Sequence, residues 1–120
     1  MKRLTLAGIA FAGVLAVVAI AAVSGQPSTV KVNGNVGEIA TVEGVVSEVY
    51  VAPRSGVTFI DMGGRYPNNT FVAVIWPENA STFPNVATLY GQAVKITGPL
   101  TLYEGKPEII LRIADQIKNE

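Results

Sequence analysis

The 120-residue chain contains no cysteine and no histidine. The first absence excludes disulfides, so a small domain built from this sequence depends on its hydrophobic core. It also excludes an anchor in which a cysteine behind the N-terminal apolar run carries a lipid. The second absence removes a common general base and metal ligand. Nucleophilic catalysis needs a nucleophile beside a base, and the serines beyond the N-terminal segment sit in no such motif. A glycine-rich phosphate loop is missing as well, since Gly63-Gly64 is a turn signal only. Glu43 and Glu48 are an odd number of residues apart on one expected strand and so face opposite ways if it is regular. Glu104 and Glu108 flank a turn, where water solvates carboxylates. No clustered ligands surround Asp61, which is expected to pair with an arginine or accept from a loop amide rather than hold a metal. The expectation is therefore a chain that is not an enzyme, with no cofactor, metal site or catalytic residue.

An excess of positive charge is also missing. Nine basic residues balance nine acidic ones, and setting aside Lys2 and Arg3 leaves seven against nine, a net charge of −2. A protein that holds nucleic acid through phosphates carries a basic footprint, and the chain as a whole shows none.

One stretch is anything but polar. Leu4 to Val23 is apolar apart from Thr5, is preceded by Lys2 and Arg3, and leads into Ser24, Gly25, Gln26 and Pro27. A basic start, an apolar run and small exit residues describe a secretory signal. The run exceeds the roughly 7–15 residues of a signal core and approaches the roughly 20 that span a bilayer. Two readings stay open for residues 1–25: a signal peptide removed after Ser24 or Gly25, or a membrane anchor with the domain outside, as Lys2 and Arg3 favour. Either way the expected location is secreted or extracytoplasmic, with membrane contact only through this segment if it stays attached.

Residues 26–37 are rich in Gly, Ser, Asn and Pro and read as a linker, though Val30-Lys31-Val32 has the makings of a short strand. The domain is expected over residues 38–120. Ile39–Val51 interleaves Val and Ile with Thr41, Glu43, Ser47 and Glu48, a strand pattern with Gly44 marking a bend. Val57–Met62 and Thr70–Trp76 are the second and third strands, separated by a loop of Gly63 to Asn69. Pro77–Tyr90 then changes period. Phe83, Val86, Leu89 and Tyr90 recur at helical spacing, Asn79 or Ser81 offers an N-cap, Pro84 suits a first turn, and Gly91 is placed to end a helix. Ala93–Leu102, with Gly98 inside it, and Glu108–Ile113 are the fourth and fifth strands, joined by a tight turn at Glu104-Gly105-Lys106. The tail from Ala114 is polar and short. Three strands, a short helix and two strands is the order of the OB-fold. The expected class is thus all-β: a five-stranded Greek-key barrel with one short helix between strands three and four, preceded by the N-terminal hydrophobic helix. An immunoglobulin-like sandwich needs about seven strands, and the pattern provides five.

Several phrases carry a family resemblance. They are Val42-Glu43-Gly44-Val45-Val46, Ser55-Gly56-Val57-Thr58-Phe59-Ile60, Arg65-Tyr66-Pro67-Asn68, Val94-Lys95-Ile96-Thr97-Gly98 and Leu102-Tyr103-Glu104-Gly105-Lys106-Pro107-Glu108-Ile109. Over Thr41 to Gln116 the chain resembles bacterial OB-fold nucleic-acid-binding domains of the tRNA-anticodon type, like the OB modules attached to secreted nucleases. In those proteins a separate domain carries the nuclease chemistry, and nothing here matches it. The resemblance implies binding of single-stranded DNA or RNA. A protein, glycan or small-ligand partner is the alternative, and a third likeness is to periplasmic OB-fold proteins associated with small ligands or cations.

An OB barrel binds on the face of its second and third strands, between flanking loops. Those loops hold Arg54, Arg65, Tyr66 and Lys106, with Tyr103 beside the last. Phe59 and Phe71 lie on the strands themselves. Stacked rings hold bases at about 1–3 kcal/mol each while cations hold phosphates. The expected nucleic-acid-binding set is therefore Arg54, Phe59, Arg65, Tyr66, Phe71, Tyr103 and Lys106. Both faces of strands two and three are apolar, so Phe59 and Phe71 are each equally a core residue or a platform. Trp76 is expected to plug the barrel.

Overall fold

A computed structural model describes residues 29–120. The expected signal peptide or hydrophobic helix of residues 1–25 lies outside the described residues. Among those described, no helix is long and apolar enough to cross a membrane.

The described residues build seven strands: β1 (Lys31–Asn33), β2 (Ile39–Val51), β3 (Thr58–Met62), β4 (Phe71–Ile75), β5 (Ala93–Tyr103), β6 (Lys106–Ile110) and β7 (Ile117–Asn119). Their order in the sheet is β1-β2-β3-β4-β6-β5-β7, and a further β2–β5 pairing closes five of them into a ring. All pairings are antiparallel except β4 with β6.

Two long strands make the closure possible. β2 pairs with β5 through Ile39–Val45 and with β3 through Val46–Val51. β5 pairs with β2 through Ala93–Pro99 and with β6 through Leu100–Tyr103. Each must bend where it changes partner. On β5 the bend falls at Gly98, where a Cβ would lie 2.8 Å from both Gln116 Nε2 and Ile109 Cγ2. The absent side chain lets β5 pass over β6 and the C-terminal tail.

Alternation divides inside from outside. Ile60 and Met62 of β3, Phe71, Ala73 and Ile75 of β4, and Val42, Val94, Ile96, Ile109 and Leu111 fill one core cluster. Val57, Val72 and Val74 form a smaller buried cluster on the other face, with Phe59 and Ile110 against it. Both faces of β4 are thus covered, which is why its sequence is a continuous apolar run.

Three expectations need correction. Trp76, expected to plug the barrel, is 41% exposed and lies outside both buried clusters. Among the described residues the strands number seven rather than five. Lys31–Asn33, within the stretch read as a linker, pairs with Thr41–Glu43, and Ile117–Asn119, within the tail, pairs with Val94–Ile96. Gln116 secures that tail: its Nε2 donates to Thr97 O (3.2 Å) and Ile110 O (3.0 Å), while its Oε1 accepts from Arg112 N (2.6 Å) and Ile113 N (3.0 Å). The expected single helix is instead two 3-10 segments, Pro77–Thr82 and Val86–Leu89. Pro84 has no amide hydrogen and disfavours helical backbone at the residue before it, and Phe83 sits at φ −125°, ψ 62°. The first segment starts behind Trp76 without a side-chain cap, so Asn79 and Ser81 do not cap it. The apolar spacing is still used: Phe83 is buried in the core and Val86 and Leu89 pack against it, but Tyr90 is exposed.

Candidate ligand pocket

The site begins with one irregularity in β2. Val46 pairs with Met62, but Glu48 pairs with Asp61, so the register slips by a residue. A one-residue slip exchanges the two faces of a strand. Val49 therefore packs on the core, and Glu48 and Tyr50 line the outer face opposite Asp61 and Phe59. Asp61 in turn pairs with Val72 of β4. Residues far apart in sequence thus meet on one surface.

That surface is the floor of a cavity of about 330 Å³. Its floor is formed by Glu48, Tyr50, Phe59, Asp61 and Val72; its rim by Tyr66 and Asn69 of the β3–β4 loop and by Tyr103, Glu104 and Lys106 of the β5–β6 hairpin. The volume lies in the range of small-molecule sites.

Three rings make one apolar wall. The Tyr50 and Phe59 rings stack with centroids 6.5 Å apart and planes inclined 23°. The Phe59 and Tyr103 rings lie 6.1 Å apart at 38°. Tyr50 is 49% and Tyr103 36% exposed, while Phe59 between them is half-buried. The shelf is therefore held in place and open to a ligand.

The opposite wall is polar and bonded to itself. Lys106 Nζ donates to Pro67 O and to Asn69 Oδ1 (2.9 Å) and stands 5.4 Å from the Tyr66 ring centre. Asn69 is buried and donates to Asp61 Oδ1 (3.1 Å) and Phe71 O (3.3 Å). Glu48 holds the same loop from β2, accepting from Tyr66 N (3.2 Å) and Arg65 Nη2 (3.3 Å). Tyr66 hydroxyl donates to Glu104 Oε1 at 3.3 Å. The hairpin turn places Glu104 at φ 51° and Gly105 at φ 80°, positive values at both central residues as a two-residue hairpin turn requires.

The electrostatics are negative. Asp61, 2% exposed, has its pKa raised from 3.8 to about 6 by burial first, then by the charge of Glu48 and a hydrogen bond with it, against an opposing pull from Lys106. The Tyr66 hydroxyl is pushed up chiefly by Glu104. The Tyr103 hydroxyl is pushed up by burial and then by Glu104.

Four of the seven sequence-predicted residues, Phe59, Tyr66, Tyr103 and Lys106, meet in this cavity. Three do not. Phe71 is fully buried in the main core and offers no platform, a correction set by its inward place on β4. Arg54 is exposed in the β2–β3 turn and does not line the cavity. Arg65 stands outside it, paired with Glu48 at 3.3 Å, and borders a shallow groove with Ala87 and Tyr90. Asp61 accepts from a loop amide as expected, that amide being the Asn69 side chain. Glu108, expected to be solvated, is buried and accepts from Thr101 Oγ1 at 2.9 Å. Tyr50, Glu48, Asn69 and Glu104 were not anticipated. Tyr50 and Glu48 owe their place to the β2 register slip, for which the sequence carries no local signal. Among the described residues no group of three or more His, Cys, Asp or Glu side chains is arranged to hold a metal ion. No family model, curated protein or solved structure matches the chain.

Proposed function

We propose that this chain is a non-catalytic binding module of the OB type, exported or anchored outside the cytoplasmic membrane, which takes a compact ring-bearing ligand in the β2–β3–β4 pocket. The ring of β2, β3, β4, β6 and β5 supports the five-stranded Greek-key reading, with β1 and β7 as additions and the two 3-10 segments standing where that fold carries its helix. The observation that carries the functional reading is the Tyr50–Phe59–Tyr103 shelf. It joins Tyr50 of β2, Phe59 of β3 and Tyr103 of β5, between the loop that precedes β4 and the hairpin that precedes β6. Ligands of this fold bind on the face of the second and third strands beside the loop that joins the fourth and fifth, which here is the β5–β6 hairpin.

The compact ligand is favoured over an extended strand by the state of the cations. Lys106 is engaged by Pro67 and Asn69 of the β3–β4 loop, Arg65 is paired with Glu48, and Arg54 does not line the cavity. None forms a track for successive phosphates. Single-stranded nucleic acid is the second reading, favoured by the three rings, on which one or two bases stack.

Titrating the full-length protein with labelled single-stranded DNA and RNA at low and high salt separates the two. The compact-ligand reading expects weak binding that varies little with salt. Micromolar binding that falls steeply with salt would replace it with the nucleic-acid reading. Chemical-shift changes confined to residues away from Tyr50, Phe59 and Tyr103 would remove the pocket from consideration.

A further inference from the structure

The hydrogen-bonding inventory of the cavity is one-sided. Most of its donors are already used, the Tyr50 and Tyr103 hydroxyls and one Lys106 hydrogen excepted. Asn69 gives its amide hydrogens to Asp61 and Phe71 O, Tyr66 gives its hydroxyl to Glu104, and Lys106 gives two of three ammonium hydrogens to Pro67 O and Asn69. Acceptors are left over. Glu104 Oε2 receives no donor among the described residues, and the buried Asp61 has, beside the Asn69 amide, only another carboxylate, Glu48, as its hydrogen-bond partner. Two carboxylates this close repel when both are ionised and call for a further donor. A ligand hydrogen in the cavity provides one.

Charge points the same way. The lining holds three carboxylates, Glu48, Asp61 and Glu104, against one ammonium, Lys106. The Tyr66 hydroxyl is pushed up chiefly by Glu104, and Asp61 and Tyr103 are pushed up by burial first and then by neighbouring carboxylates. An anion entering here meets acceptors and repulsion. A cation with N–H donors meets acceptors, attraction and the faces of aromatic rings.

Resting on the pocket reading above, we infer that the occupant is an organic cation: an ammonium or guanidinium group directed at Asp61 and Glu104, its apolar body lying on the Tyr50–Phe59–Tyr103 shelf. Two sources share this chemistry, an amino sugar and an arginine-like side chain. Inorganic phosphate and carboxylate ligands are disfavoured by the same inventory.

The test pairs each cation with a neutral molecule of the same shape. Full-length protein is titrated by calorimetry and by two-dimensional NMR with N-acetyl-arginine amide against N-acetyl-citrulline amide, and with glucosamine against glucose. At least one charged member is expected to bind about tenfold or more tighter than its neutral partner, which of the two does so identifying the source. Glu104→Gln, an exposed change that leaves the fold intact, is expected to erase most of that advantage, whereas Phe59→Leu weakens charged and neutral members alike. Equal binding within both pairs would overturn the cation inference and leave the pocket reading standing. So would the failure of all four probes together with shelf shifts caused by an oligothymidylate. Failure of every probe, the oligonucleotide included, would overturn both.

Discussion

Asp61→Asn is expected to stabilise the protein above pH 7 and to leave it unchanged near pH 4. Asp61 is buried, and its pKa is raised from 3.8 to about 6 in the folded state. Between those values the folded protein holds a proton that the unfolded chain has released. Stability therefore falls as pH rises through this window. At about 1.4 kcal/mol per pH unit the full difference is about 3 kcal/mol, an upper figure because the pocket opens to solvent. An asparagine keeps the oxygen that accepts from Asn69 Nδ2 at 3.1 Å and can donate toward Glu48, without a charge to desolvate. The assay is urea unfolding of the wild type and the variant from pH 4 to pH 8, followed by circular dichroism. Every other titrating group is common to both proteins, so the difference between the two profiles isolates Asp61. The variant should gain about 1–3 kcal/mol relative to the wild type between pH 4 and pH 8. Parallel profiles, or a variant that loses ground as pH rises, would refute the burial argument. The same change removes a carboxylate from the pocket, so a stability gain with weaker cation binding would mark Asp61 as a residue kept for binding at a cost in stability.

Phe71→Ala is expected to cost about 3–5 kcal/mol in chemical denaturation, since the ring is fully buried in the main cluster. Phe59→Ala should cost about 1–2 kcal/mol, because that ring is half-buried on the smaller cluster. Lys106→Met removes the clasp on Pro67 O and Asn69. It should cost about 1–2 kcal/mol and speed amide exchange across Arg65–Thr70, while exchange in β2 and β5 stays unchanged. Gly98→Ala drives a methyl to 2.8 Å from Ile109 Cγ2 and Gln116 Nε2. It should lower stability by about 1–3 kcal/mol and free the tail, read as lost protection of the Ile117–Asn119 amides.

Much of the fold was legible because period-2 alternation is a local property. The stretches read as strands, Ile39–Val51, Val57–Met62, Thr70–Trp76 and Ala93–Leu102, overlie β2, β3, β4 and β5 to within a residue or so at each end. The fifth, Glu108–Ile113, was displaced by a few residues from β6 at Lys106–Ile110. The glycine at position 98 was readable as a bend because a missing side chain inside a strand has few other uses. The helix was misread because apolar spacing at three and four residues is satisfied by 3-10 turns as well as by an α-helix. Only Pro84 separated them, and the spacing outweighed it.

What the sequence determined alone is a β-rich chain without the thiol and imidazole groups of much enzyme chemistry, and a set of loop aromatics and cations near one end of its strands. Tertiary structure decided where those residues lie and what they touch. The inward turn of Phe71 and the outward turn of Phe59 follow from which face of two apolar strands meets the core, a choice that alternation leaves open when both faces are apolar. The slip between Val46 and Glu48 brought Tyr50 and Glu48 to the pocket, because one extra residue reverses every side chain beyond it. Folding pairs Lys106 with Pro67 O and Asn69, and Arg65 with Glu48, contacts that no local pattern announces. A charge in a sequence has no partner until the chain folds, and here the partners leave the pocket acceptor-rich and negative.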